Sequence, residues 1–314
     1  MKNKLFSFWI LTYLKFEGVY ATLDSLFQQD YPKIELIISD DGSPNYDEEI
    51  KKIKKYVEEN KGSNIVSTIY LHLEKNQGIV RNANNAIKHA NGEFVKGLGD
   101  ADILCRKDAL SKYVQYLENN DCDIVFAKLE GVTEQGEKIK HLAACEDDYE
   151  MLTNMTPSEL ANKLYARNCL PAPAWGARKR LFDKNGLYLP ITRLIEDYPY
   201  WLHLCRHNVK IGFMDQVLVH YKMSGISSAG NYGIGFMEDM FKIYDQCIFP
   251  YDNRFGVFQP MYNWLKRMGL NAYYAKAKWK GYSVKDKVAA YAKYGLFFMY
   301  IFLNDLKIKI KNKM

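Results

Sequence analysis

The chain of 314 residues is long enough for one large domain or two small ones with a core of their own. Its 48% hydrophobic, 25% charged and 14% aromatic content excludes disordered, collagen-like, coiled-coil and low-complexity classes. Six cysteines without a CxxC pair exclude a zinc knuckle and a dense disulfide framework, and fit a reducing, cytoplasmic setting.

The formal net charge of +6 is unevenly spread. Residues 264–314 hold 12 Lys/Arg against only Asp286 and Asp305, a balance of +10, so the first 263 residues carry −4. Residues 1–14 imitate a secretion leader, with Lys2 and Lys4 before the apolar run 5–11, but Lys15 and Glu17 interrupt it. The run reads instead as a buried first strand. Phe16, Tyr20, Leu23, Leu26 and Phe27 then recur at helical spacing until Tyr31-Pro32 stops the helix. Residues 34–39 form the next predicted strand. After the turn cluster Asp40-Asp41-Gly42-Ser43-Pro44 come a Lys/Glu-rich helix with apolar Ile50, Ile53, Tyr56 and Val57, a strand over 66–73 and a helix over 79–90. A strand over 94–98, a helix over 108–118 and a strand over 123–127 complete a βαβαβαβαβ pattern. That alternation predicts an α/β fold, a mostly parallel central sheet flanked by helices on both faces.

Parallel sheets place ligands outside the carboxyl ends of their strands, so the residues that follow each strand carry the functional expectation. They are Thr12-Tyr13, Asp40-Asp41, Glu74-Lys75-Asn76 and Asp100-Ala101-Asp102. Four strand ends thus converge on one edge with several carboxylates and few cations, which suits a metal ion or a polyhydroxylated ligand. From 130 to 168 the periodicity is weaker, and Glu146-Asp147-Asp148 reads as a solvated loop or helix start. Pro171, Pro173 and Trp175-Gly176 interrupt regular structure before a short element at 178–182, and read as a pocket wall or, equally, as core.

These blocks resemble the inverting, nucleotide-sugar-dependent glycosyltransferases of family 2, which have the Rossmann-like GT-A fold. The opening, residues 6–43 with Thr22-Leu23-Asp24-Ser25-Leu26 and Ile37-Ile38-Ser39-Asp40-Asp41-Gly42-Ser43, is similar to that family's, as is Asn76-Gln77-Gly78 with Arg81-Asn82 and Ala90-Asn91-Gly92-Glu93-Phe94. The likeness covers residues 5–105 and resumes over 175–228. It departs at Leu11 and Leu14, where the family has proline and asparagine.

The resemblance implies a donor nucleotide held by Thr12, Tyr13, Asp40, Asp41, Asn76, Arg81, Asp100, His220 and Lys222. Thr12 and Tyr13 would flank and stack on the base, and an aspartate of the Asp40-Asp41 pair would accept its imide N–H, which selects uracil or thymine. Asp100-Ala101-Asp102 matches the DXD motif, with Asp102 as metal ligand and Asp100 on the ribose or the metal. A divalent cation, Mn2+ or Mg2+, on carboxylates at a rigid strand end stabilises the charge of a departing diphosphate. Glu196-Asp197 resembles the acidic pair before the helix that floors the acceptor site. Asp197 is then the general base that takes the acceptor proton, against the alternative of a helix N-cap; Glu196 positions that base or, with Trp175, touches the acceptor. Gly225 and Ser227-Ser228 resemble a mobile lid.

Beyond residue 230 the resemblance fades into predicted helices at 236–248, 261–269, 272–280 and 284–306. The last two place Lys beside Tyr, Phe and Trp, a composition that binds anionic membrane surfaces or else packs on the catalytic domain with its lysines outward, and nucleic acid is not the expected partner. The apolar run 294–303 is about half the length that spans a bilayer. The expected organisation is a catalytic domain over 1–230, divided into nucleotide (1–105) and acceptor (106–230) halves, and a basic helical extension over 231–314. The expected activity is transfer of a sugar from a UDP-sugar or dTDP-sugar donor to a glycan or lipid-linked glycan acceptor at the inner face of the cell membrane. Two rivals stand beside it. One is a haloacid-dehalogenase-type phosphatase using Asp100 and Asp102, which leaves the Asp-Asp-Gly-Ser block unused; the other is a non-catalytic sugar-nucleotide or glycan-binding module.

Overall fold

The computed structural model describes residues 4–99, 101–133, 137–139, 149–222 and 233–313, with side chains as far as residue 301. It divides into two compact units, Met1–Lys138 with Leu142–Lys222, and Ile139–His141 with Met223–Met314.

The first unit is built on an eight-stranded sheet of order β3-β2-β1-β4-β7-β6-β8-β5. Strands β1 (Phe6–Thr12), β2 (Ile34–Asp40) and β4 (Phe94–Gly99) are buried on both faces, which is why they are nearly continuous apolar runs without alternation. The leader-like start is therefore a central strand. β3 (Ile65–His72) lies at the edge and is more exposed. β1 pairs in parallel with β2 and β4, and β2 with β3, in the register Thr12↔Asp40↔His72. Helices α1 (Val19–Phe27), α2 (Tyr46–Asn60), α3 (Ile79–His89) and α4 (Ala109–Asn119) follow the expected order. Each turns an apolar stripe inward, as with Val80, Ala83, Ala86 and Ile87 of α3.

Beyond β4 the sheet becomes mixed. The short β5 (Ile103–Leu104) runs antiparallel to β8 (Ile211–Lys222), and β6 (Ile124–Val132) is parallel to β8. Between β4 and β6 lies β7 (Trp175–Arg178), antiparallel to both. This corrects the sequence expectation at 175–182: Trp175-Gly176 continues regular structure, and the short element is split between β7 and α7 (Arg180–Asn185). The weakly periodic stretch contains α5 (Tyr149–Thr153) and α6 (Pro157–Ala166), and α8 (Asp197–Arg206) completes the unit. Glu146-Asp147-Asp148 lies outside the described residues.

The second unit is helical. Helix α9 (Ile234–Ile243) runs into a wide turn over Tyr244–Ile248, followed by α10 (Gln259–Lys278) and α11 (Val284–Lys313). The two helices expected at 261–269 and 272–280 are one. Gly269 sits inside α10 facing the Phe297 ring and is carried within the helix without ending it. No described helix is long and apolar enough to cross a membrane.

Candidate active site

The parallel strands β1, β2 and β3 finish side by side, and their last residues form a hydrogen-bonded row. Asp40, with no exposed surface, accepts from Thr12 Oγ1 (3.0 Å) and Ser43 Oγ (2.7 Å) on Oδ1, and from the Ser43 N–H (2.7 Å) on Oδ2. His72 Nδ1 stands 2.9 Å from the same Oδ2, and its ring stacks on Tyr46 with centroids 4.0 Å apart. A carboxylate has about four lone-pair positions, so Asp40 is occupied in shaping the edge. Asp41 accepts the Gln77 N–H (2.7 Å) and the Gly78 N–H (2.8 Å), one on each oxygen. Burial pushes its carboxyl up, opposed by those two bonds and by the nearby Arg193 charge.

Two further groups on this edge point to a polar ligand. Tyr13 is 43% exposed, on a loop held by the bond from Leu14 N to Ser43 Oγ (2.7 Å). Asn76 Oδ1 is buried without a hydrogen-bond partner among the described residues. An orphaned buried acceptor costs on the order of 1–3 kcal/mol, which a ligand donor would recover. Arg81 is exposed on α3 and donates to Gln77 Oε1 one turn back (3.1 Å). A second cation, Arg193, packs over Gly78, whose φ of +93° and contact with the Arg193 backbone leave no room for a side chain.

At the end of β4, Asp100 lies outside the described residues. Ala101 takes φ +73°, which costs an L residue roughly 1–2 kcal/mol and is imposed by its neighbours. Its N–H bonds to Gly18 O (3.2 Å), and a Cβ on Gly18 would stand 2.7 Å from Ala101. Thr22 Oγ1 bonds to Asp102 O (2.8 Å), so the first turns of α1 fix the loop. The buried Asp102 accepts the Lys222 N–H on Oδ1 (3.1 Å). β5 pairs Ile103 with His220, whose Nε2 stands 3.3 Å from Glu130 Oε2. The end of β8 is thus brought to the DXD loop through the main chain of Lys222.

Beneath this loop lies a group the motif reading did not flag. Lys96, fully buried in β4, donates to the carbonyls of Pro173 (2.5 Å) and Trp175 (2.8 Å) and sits over the Tyr113 ring. Burial pushes its amine down to about 7, partly countered by Asp102. Trp175 is 2% exposed and packs against Trp9, Phe182 and Trp201. It packs in the core, one of the two readings its sequence allowed.

Asp197 is the first residue of α8, and Glu196, in the cap position, makes no side-chain cap bond. Asn168 Nδ2 donates to Asp197 Oδ2 (2.9 Å), while Asn168 Oδ1 accepts the Leu170 N–H (3.2 Å), a local turn that aims the amide. Burial raises the Asp197 carboxyl, opposed first by the Asn168 bond. Glu196 is pushed up to about 8, by burial first and then by the Asp197 charge.

A raised carboxyl favours the protonated folded form, so the native state binds more protons than the unfolded chain between the ordinary Glu range and pH 8. Stability must fall as pH rises through that window and level off above it. Glu196→Gln removes this loss. The variant should therefore melt above the parent near pH 8.5 by about 1–2 kcal/mol, discounted for partial exposure, or roughly 3–6 °C, and the difference should close towards pH 4. A melting offset independent of pH would refute the assignment.

A match to the Glycosyl transferase family 2 model over residues 7–186 then decides the family. The chain belongs to glycosyl transferase family 2. It is a glycosyltransferase with an α/β fold of the GT-A kind, and the match lends no support to the phosphatase reading. It is 32% identical over 134 residues to the poly(ribitol-phosphate) beta-N-acetylglucosaminyltransferase TarS of Staphylococcus aureus. That alignment covers 42% of this chain and only 22% of TarS. The structure of S. aureus TarS 1–349 in complex with UDP-GlcNAc superposes with a TM-score of 0.58 at 18% identity, covering 94% of this chain and 81% of that one. A mannosyltransferase from Pyrobaculum calidifontis in complex with GDP-Man and Mn2+ gives 0.58 at 15% identity, covering 98% and 86%. At these identities the structural likeness concerns the fold.

A divalent cation is compatible with the donor set. Among the described residues no three His, Cys, Asp or Glu side chains group as a cage. Asp102 offers hard carboxylate oxygen at a pinned strand end, and Mg2+ and Mn2+ suit such sites, with waters and substrate phosphates filling the shell.

Proposed function

We propose that this glycosyltransferase is metal-dependent and inverting, and moves a sugar from a UDP-sugar, or alternatively a dTDP-sugar, to a hydroxyl of a growing surface glycan. The observation that carries the reading is a division of labour within the first unit: an edge of strand ends prepared for a nucleotide, with the unpartnered Asn76 acceptor, and a separate desolvated carboxyl at Asp197. The TarS complex with UDP-GlcNAc supports a uridine donor, and UDP-N-acetylglucosamine is the first sugar to test.

Tyr13 would stack on the base and Asn76 accept a base or ribose N–H or O–H. Asp40 would act mainly by fixing Thr12, Ser43 and His72 in place. Asp102, with Asp100, would hold Mn2+ or Mg2+, which when bound supplies positive charge to the diphosphate. Arg193 and Lys222, with Arg81 and His220, are the cationic groups of this unit assigned to phosphate oxygens.

In the transfer, the acceptor oxygen attacks the anomeric carbon as its proton passes to Asp197. The bond from that carbon to the diphosphate oxygen breaks on the opposite face, the pair leaves with the nucleotide diphosphate, and the configuration inverts. Asn168 holds Asp197 Oδ2, Oδ1 is the oxygen assigned to the acceptor proton, and a carboxyl raised by burial is a better base than an ordinary one. Glu196 would orient the acceptor. The same reading places the reaction at the inner face of a membrane, where a lipid-linked glycan is presented, with the basic C-terminal helices in contact.

Calorimetric titration with UDP and with dTDP, each with and without Mn(II), tests the donor assignment. Metal-dependent binding of one diphosphate is expected. Absence of heat with both, with or without metal, would overturn it.

A further inference from the structure

The helical unit exposes large apolar side chains at several places, Val284 (78%) and Val288 (64%) at the start of α11 among them, and two of these places lie towards the other end of its hairpin. Entering α10, Val257 is 89% exposed, Phe258 65%, Met261 58% and Trp264 59%. Positions 257, 261 and 264 follow one helical stripe. On α11, Leu296 is 78% exposed and Met299 57%.

These stretches share one end of a helical hairpin. A side chain on Gly269 would stand 3.7 Å from the Phe297 ring, while Ala275 shares a cleft with Ala289 and Ala290, so α10 and α11 run antiparallel. The turns carrying Met261 and Trp264 therefore lie level with α11 just past residue 300. Lys266 and Arg267 border the first stripe, and α11 continues through Lys307, Lys309, Lys311 and Lys313. The apolar stripes and the lysines of the basic end of the sequence belong to the same two helices.

We propose that this end of the α10–α11 hairpin is a docking surface for an anionic lipid bilayer, which makes specific the membrane contact of the proposed function and rests on that reading. A second copy would bring a like charge of +10 against it. Nucleic acid would satisfy the lysines but not Val257, Leu296 and Met299. An anionic bilayer satisfies both, taking Phe258 and Trp264 into the headgroup boundary while the lysines meet the surface potential. Since no described helix can cross, the contact lies in the plane of the interface.

The full chain should sediment with vesicles of equal parts phosphatidylcholine and phosphatidylglycerol, and not with pure phosphatidylcholine. Binding should collapse as salt approaches about 1 M, where screening acts within roughly 3 Å. Phe258→Ser with Trp264→Ser should lower the partition coefficient by about tenfold or more, with melting temperature and UDP titration unchanged. No sedimentation with anionic vesicles, or equal sedimentation of the double variant, overturns the proposal. So does concentration-dependent self-association, or retention of a labelled oligonucleotide, that the same variant abolishes. Failure of UDP to bind the parent chain would instead sink the donor reading and leave the vesicle result standing.

Discussion

Asp197→Asn is expected to lower kcat by about 10²- to 10⁴-fold while leaving UDP affinity within about twofold. The size follows from removing a proton acceptor whose action is confined to the transition state. The selectivity follows from the local structure. An asparagine at this position still offers an oxygen to Asn168 Nδ2, so the turn of Asn168 and Leu170 and the start of α8 are preserved. The substitution also removes a buried carboxyl whose ionisation opposes folding, so the melting temperature at alkaline pH should hold or rise. Saturation kinetics with donor and acceptor, run beside UDP titration and thermal melts, separate these effects. A kcat within tenfold of the parent would remove Asp197 as the base and return it to a structural role at the start of α8.

Residues 5–105 were legible because their signals are local. Strands buried on both faces are nearly continuous apolar runs, and β1, β2 and β4 announce themselves that way before ending in Thr12, Asp40 and the DXD loop. The rest of the first unit depends on contacts distant in sequence. β7 is four residues held between β4 and β6, and no period of its own marks it out. Lys96 reads in sequence as an interruption of a strand, and only the fold brings the Pro173 and Trp175 carbonyls to it. His72, Arg193 and Asn168 owe their places to Asp40, Gly78 and Asp197, residues 25 or more positions away. One signal was available locally: Thr156-Pro157-Ser158-Glu159 is a capping box with proline in the first turn, and α6 begins there. The lid assigned to Gly225 and Ser227-Ser228 lies outside the described residues.

The DXD loop is held in a costly conformation by its neighbours, which makes its chemistry separable from its fold. Asp102→Asn keeps an oxygen for the Lys222 N–H, leaves the Thr22 bond to the residue 102 carbonyl untouched and does not alter Ala101 against Gly18. What it removes is one negative charge at a hard oxygen. The metal-dependent gain in UDP affinity should therefore fall by about a hundredfold, close to 3 kcal/mol, while the weak binding of UDP without metal should stay nearly constant. Lys96 adds an independent readout. The Asp102 charge supports its protonation against burial, so neutralising residue 102 should lower the Lys96 pKa further below about 7, observable by NMR titration of the lysine side chain. If Mn(II) enhances UDP binding equally in parent and variant, Asp102 is not the ligand and the metal rests elsewhere on the strand-end edge. If the Lys96 titration is also unmoved, the electrostatic link between β4 and the DXD loop falls with it.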